Sequence, residues 1–270
     1  TPVGLIVHTG DYKFDHTPVD NWPSDYAKLA EFSQRGVLAL LADSTNAERP
    51  GWTPSERVVD DAFDKVFREA PGRIIIASFA SLISRMQQVA NAAERYKRKL
   101  AFAGTSMVDN MKMARKLGYL EIPESLIVSV EQSINMKPAD VVIMCTGSQG
   151  EPTSIMGRLS MGTNRQFDIQ PGDTVVLSSH PIPGNEEEVY RTINRLFQRG
   201  ANVIYDALAP VHVSGHASQE EQKLLLHLTR PKFFIPIHGE IRQLRQHALL
   251  GRQVGIPEES IAVVENGQVI

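Results

Sequence analysis

Apolar residues along the chain gather in short unbroken runs: Val3 to Val7, Val37 to Ala42, Ile74 to Ala77, Val141 to Cys145, Val175 to Leu177, Val203 to Tyr205, Phe233 to Ile237 and Ile261 to Val264. A strand with one wet face alternates apolar with polar side chains. These runs do not alternate, so they predict strands covered on both faces. Between them the period changes. Ser55 precedes Val58, Val59, Ala62, Phe63, Val66 and Phe67, which share one helix face, and Pro71-Gly72 stops the pattern. Further helices are predicted over 81–97, over 107–117 ahead of Gly118, over 186–198 ahead of Gly200, and over 219–228. Strand and helix taking turns predicts a layered α/β fold with a largely parallel sheet. Seams are marked by turn formers at 45–54 and 164–173.

With 270 residues, of which 42% are apolar and 22% charged, the chain can build one large or two modest cores. The 28 Lys and Arg against 31 Asp and Glu leave a net charge of −3, which excludes a uniformly basic nucleic-acid coat, so any polyanion site is focal. The basic residues that do cluster, at Arg95, Lys97, Arg98 and Lys99 and again at Lys112, Arg115 and Lys116, read first as a solvated helix face. A single cysteine, Cys145, cannot form an internal disulfide and fits a reducing compartment. No apolar run reaches bilayer length, so a soluble, cytoplasmic protein without membrane contact is expected. The chain starts without methionine, almost directly on a strand, which suggests that a natural beginning lies upstream.

The chemistry-bearing residues sit where strand-like runs end, the usual place for sites in α/β folds. His8, His180, His212, His216 and His238 all do so, whereas His227 and His247 fall on predicted helices and read as surface or packing residues. Asp11 follows Gly10 at the end of the first run, where a carboxylate is either a turn former or a hard oxygen ligand for a metal. Asp43 opens the similar segment Asp43-Ser44-Thr45, a cap or a functional acid. In His212-Val213-Ser214-Gly215-His216 two imidazoles flank a small pair that lets a phosphate approach, ahead of a helix N-terminus. His238, in Pro236-Ile237-His238-Gly239-Glu240, is a core histidine or a metal ligand. The loop Thr146-Gly147-Ser148-Gln149-Gly150-Glu151 has a phosphate-cradling composition but is neither a Walker loop nor a dinucleotide fingerprint.

Taken in order, HTGDYKFD at 8–15, LADSTNAERPG at 41–51, CTGSQGEP at 145–152, SSHPIPGNE at 178–186, HVSGHAS at 212–218 and PIHGE at 236–240 resemble the β-CASP group of the metallo-β-lactamase enzymes, most closely the bacterial ribonuclease J proteins. The resemblance covers essentially the whole chain. It implies a partial metallo-β-lactamase αββα sandwich over 1–34 and 211–270, with a β-CASP α/β domain of largely parallel sheet inserted over 35–210. It also implies a role for each matched position. Asp11 and His238 would be metal ligands, and His216, orientated by Asp43, would contact the scissile phosphate. His212, Ser214 and the loop Gly147, Ser148, Gln149 and Gly150 would hold RNA phosphate.

The activity implied is metal-dependent hydrolysis of RNA phosphodiesters, both endonucleolytic and 5′-to-3′ exonucleolytic, at two zinc ions, with magnesium or manganese as alternatives. The implied substrate is single-stranded RNA with a 5′-monophosphate, and a homodimer or homotetramer fits the family. Two readings of other classes stand beside it: a hydrolase of small esters, and a non-catalytic RNA-binding module. The family's HxHxDH signature is absent from these residues, so the chain by itself is expected to be an inactive fragment. Leu82-Ile83-Ser84-Arg85 stands where the family has Asn-x-His-Arg, and Gly104-Thr105-Ser106-Met107 where it has Gly-Arg-Ser-Met.

Overall fold

The computed structural model describes residues 1–269. In chain order its elements begin with β1 (Leu5–His8), α1 (Tyr26–Arg35), β2 (Val37–Asp43), α2 (Arg57–Glu69), β3 (Ile74–Ala77) and α3 (Ile83–Arg95). They continue with β4 (Lys99–Ala103), α4 (Thr105–Lys116), the short α5 (Val130–Ser133), β5 (Val141–Cys145), α6 (Ile155–Met161) and β6 (Thr174–Leu177). The last are α7 (Glu186–Gln198), β7 (Asn202–Ile204), α8 (Gln219–Thr229), β8 (Phe233–Ile237) and α9 (Ile241–Gln253). Two units result: Thr1–Ser55 with Ser214–Ile270, and Glu56–Val213, which interrupts the first in sequence.

The first unit is built on a three-stranded parallel sheet of order β1-β2-β8. Its core consists of Phe14, Leu40, Ala42, Leu225, Leu226 and Phe234. Among the described residues this unit has a single parallel sheet with helices beside it, in line with the α/β expectation. Its lower boundary differs from the expected one. Residues 35–55 belong here, because β2 is the central strand and bonds to β1 and β8 on either side. The predicted strand at 261–264 is reduced to one bridge, Phe234 with Ile261.

A buried carboxylate ties the loops of this unit together. Glu221, fully buried on α8, accepts from the amides of Phe14 at 2.8 Å, Thr53 at 2.7 Å and Ser218 at 2.9 Å. Three N–H donors stabilise the charge that burial would otherwise penalise.

The interrupting unit carries a five-stranded, wholly parallel sheet of order β4-β5-β3-β6-β7. Ile74, Ile75 and Ile76 of the central β3 are all fully buried, because helices cover both faces. This is why the apolar runs do not alternate. Strand β4 was not anticipated, since Lys99 and two alanines dilute its apolar signal. The basic cluster is largely structural here. Arg98 is buried and donates to the carbonyls of Ala70 at 2.7 Å and Gly72 at 2.6 Å, while Arg95 pairs with Asp64 at 3.0 Å.

Arg85 is the largest fully buried side chain. Its guanidinium bonds the Gln88 amide oxygen at 2.8 Å, the Val211 carbonyl at 2.7 Å, the Ser178 hydroxyl, and Glu56 at 2.7 Å. Glu56 and Val211 lie at the two ends of this unit's sequence, so one buried cation fastens both. Arg85→Ala, which strips Glu56 of the guanidinium and removes the donor to the buried Gln88 side-chain oxygen, is expected to destabilise the unit by about 3–5 kcal/mol. Urea unfolding of the parent and the variant measures this.

Candidate metal centre

The first unit gathers its functional side chains at the carboxyl ends of its three parallel strands. Strand β1 ends at His8 and leads through Thr9 and Gly10 to Asp11. Gly10 has φ +59, which glycine tolerates without strain, and its amide donates to Nδ1 of His8 at 3.0 Å. Strand β2 ends at Asp43, and β8 at Ile237, directly before His238.

Asp11, His216 and His238 offer ligand atoms that all lie within 4.8 Å of one another. Nε2 of His238 is 3.4 Å from Oδ1 of Asp11. The rings of His216 and His238 stack with centroids 5.6 Å apart. Asp11 and His238 supply a carboxylate oxygen and an imidazole nitrogen, a zinc-type donor pair, with the His216 ring beside it. The residues present therefore fit one divalent ion. Asp11 and His238 line a cleft of about 420 Å³ together with His8 and Asn266.

Behind His216 stands Asp43, 1% exposed, whose Oδ2 lies 2.7 Å from Nδ1 of the imidazole. Its other oxygen accepts from the amide of Thr45 at 2.9 Å and the hydroxyl of Thr45 at 2.7 Å. Burial raises the Asp43 carboxyl, but the bonds from His216 and Thr45 outweigh it and hold the group below its ordinary value. The same bond to Asp43 lifts His216 above the usual imidazole value, against the lowering effect of burial. With Nδ1 committed to Asp43, Nε2 of His216 is the atom free to face a ligand, the carboxylate–histidine arrangement that orientates metal-site and catalytic imidazoles.

Of the residues singled out from the sequence, Asp11, Asp43, His216, His238 and Ser214 come together in this unit. Ser214 Oγ accepts from Asn46 at 2.9 Å and from the His216 amide at 3.2 Å, so it shapes the loop that carries the imidazole. His212 and the Gly147 to Gly150 loop belong to the other unit. In that loop the glycines answer to packing rather than to an open cradle. A Cβ on Gly147 would fall 2.1 Å from Ser154 Oγ, and one on Gly150 would fall 2.6 Å from the Glu188 backbone. Ser148 and Gln149 are buried, and the Gln149 amide is engaged with the His180 carbonyl at 2.9 Å and the Ile182 amide at 2.8 Å. His180 itself pairs with Asp206 at 2.5 Å.

Sequence reasoning passed over Thr45, Asn46 and Glu221, whose roles lie in contacts with residues far along the chain. His247, read as a packing residue, is fully buried and lies 2.9 Å from the Ser44 hydroxyl through Nδ1.

Residues 71–196 match the family model described as "Ribonuclease J, beta-CASP domain", and residues 202–261 match "Zn-dependent metallo-hydrolase RNA specificity domain". A crystal structure of a protein of unknown function from Enterococcus faecalis V583 shares the fold, with a TM-score of 0.58 at 16% identity over 99% of this chain and 58% of that one. Family matches place the chain in the β-CASP class. The curated relatives narrow this further. Ribonuclease J of Synechocystis sp. is 50% identical over all of this chain and 42% of its own length. Ribonuclease J of Thermus thermophilus is 49% identical over 100% of this chain and 47% of its own, and ribonuclease J 1 of Streptococcus pyogenes 47% over 100% and 48%. The chain belongs to the ribonuclease J family, and it spans less than half the length of these relatives.

Burial depresses the His247 imidazole to about 3, partly offset by Asp43. The unfolded imidazole, near 6.5, takes up a proton that the folded one refuses, so stability falls as pH drops from about 6.5 toward 3. The Asp43–His216 pair acts oppositely through its imidazole: that stabilisation is complete below the unfolded imidazole value and is lost as pH rises through the raised folded one. Urea midpoints measured between pH 7 and 4 are expected to fall more gently with acid in His247→Gln than in the parent, by a slope of up to about 1.4 kcal/mol per pH unit.

Proposed function

We propose that this chain serves the hydrolysis of RNA phosphodiester bonds at a divalent-metal centre, with zinc as the first choice, two ions in the complete protein and manganese or magnesium as alternatives. The observation that carries the reading is the Asp11–His216–His238 cluster, with Asp43 buried behind His216, in a chain of the ribonuclease J family. When bound, the metal supplies a Lewis acid for a phosphoryl oxygen and a water made acidic enough to attack.

The chain's own residues divide the remaining work. Asp11 and His238 would hold the ion. Asp43 fixes the plane and the proton of His216 at Nδ1, and its charge favours the imidazolium. Nε2–H of His216 then donates to a phosphate oxygen or protonates a leaving oxygen, and its raised basicity keeps that donor form populated to higher pH than in a free histidine. Ser214, with its oxygen already accepting two bonds, has its hydroxyl proton to offer the same phosphate. Single-stranded RNA with a 5′-monophosphate, cut internally or from its 5′ end in the cytoplasm, is the substrate proposed, with His212 contributing to phosphate binding. A homodimer or homotetramer is the assembly proposed.

The test uses the full-length gene product, 5′-phosphorylated single-stranded RNA and zinc or manganese. Cleavage that stops on chelation is expected, slowed roughly 10²–10⁴-fold in His216→Ala and abolished in Asp11→Asn. Turnover of small esters without RNA cleavage would overturn the reading, as would RNA affinity that survives both chelation and His238→Ala with no cleavage at all.

A further inference from the structure

The donor cluster depends on a residue in a backbone conformation that L-amino acids avoid. His238 has φ +54, in the left-handed region, although it is not a glycine. Such a conformation persists where surrounding contacts over-determine it. The contacts are specific. The His238 carbonyl accepts the Ser44 amide at 3.4 Å and lies 3.2 Å from the Thr45 hydroxyl, whose single proton is shared with Oδ1 of Asp43 at 2.7 Å. One side chain thus touches both the backbone that carries one imidazole and the carboxylate that orientates the other.

Helix α9 braces this segment from behind. Gln243 Nε2 donates to the Thr45 carbonyl at 2.8 Å, and Nδ1 of His247 meets Ser44 Oγ at 2.9 Å. The two side chains are four residues apart, hence on one helix face. His247 is otherwise an expensive choice for this position. It is fully buried, edge-on to Phe234 with centroids 4.8 Å apart, and its Nε2 has no hydrogen-bond partner. An apolar side chain would fill the space without that penalty, so the bond to Ser44 is what the imidazole contributes. The turn beyond His238 is closed against the same segment: a Cβ on Gly239 would lie 3.0 Å from the Gln243 side-chain oxygen and 3.3 Å from Ser44 Cβ.

We propose that Thr45, braced by Gln243 and through Ser44 by His247, is the positioning residue that holds His238 left-handed and so aims its imidazole at Asp11 and His216. The consequence for metal affinity rests on the functional reading above, whereas the backbone restraint does not.

The 270-residue chain, isotopically labelled, allows both to be read. In Thr45→Val the φ-sensitive couplings of His238 are expected to leave the left-handed range, and zinc affinity to fall about 10–100-fold. Thr45→Ser, which keeps the hydroxyl, is expected to restore both the couplings and the zinc affinity, a rescue by the conservative variant that lost packing alone would not show. Parental couplings and zinc affinity in Thr45→Val would overturn the proposal. A parent chain that binds no zinc would remove the metal reading, with the couplings still deciding the clamp. If Thr45→Val does not fold, Ser44→Ala, which cuts the link to His247 together with a bond to the Ala42 carbonyl at 3.3 Å, decides by the same couplings: a shift out of the left-handed range supports the brace, and parental values refute it.

Discussion

The site depends on one buried carboxylate at the end of one strand. Asp43 is almost wholly removed from water, which by itself would favour the neutral acid, yet three hydrogen bonds keep it ionised. Two come from its own neighbour Thr45 and one from His216, more than 170 residues along the chain. The ionised form makes His216 an orientated imidazole, because a neutral acid would neither fix its proton nor stabilise its charge. β2 supplies the rigidity. As the central strand of its sheet it is bonded on both sides, so its last residue has little freedom to move.

Around that carboxylate, polar groups are paired across long sequence separations. Glu221 closes three loops with three backbone amides, and Thr45 and His247 tie the β2 end to α9. The other unit follows the same rule with opposite sign, its buried Arg85 serving as the donor to a carboxylate, a carbonyl and two side chains. In each case a charge is tolerated inside because it is spread over several partners at short distance.

Much of this was legible in the residues. Unbroken apolar runs such as Ile74 to Ala77 and Val141 to Cys145 identified strands covered on both faces, and the spacing from Val58 to Phe67 identified α2 within two residues. Asp11, Asp43 and His238 were legible because each lies at or just beyond the carboxyl end of a strand, and His216 because of the His-Val-Ser-Gly-His spacing ahead of α8. What escaped was non-local. β4 lacks a strong apolar signal and is recognised only by its bonding to β5. The boundary of the inserted unit depends on which strands β2 pairs with, which no local pattern encodes. The glycines at 147 and 150 suggested a cradle by composition, whereas their cause lies in Ser154 and Glu188, residues that only the folded chain brings near.

Because β2 lies beside β8, the small sheet is stitched from two stretches that the whole of Glu56–Val213 separates in the chain. During synthesis from the N-terminus, the interrupting unit leaves the ribosome in full before the third strand of the small sheet exists. The edge of β2 that bonds to β8 must therefore wait unpaired, an exposure that favours aggregation and lengthens with slow translation.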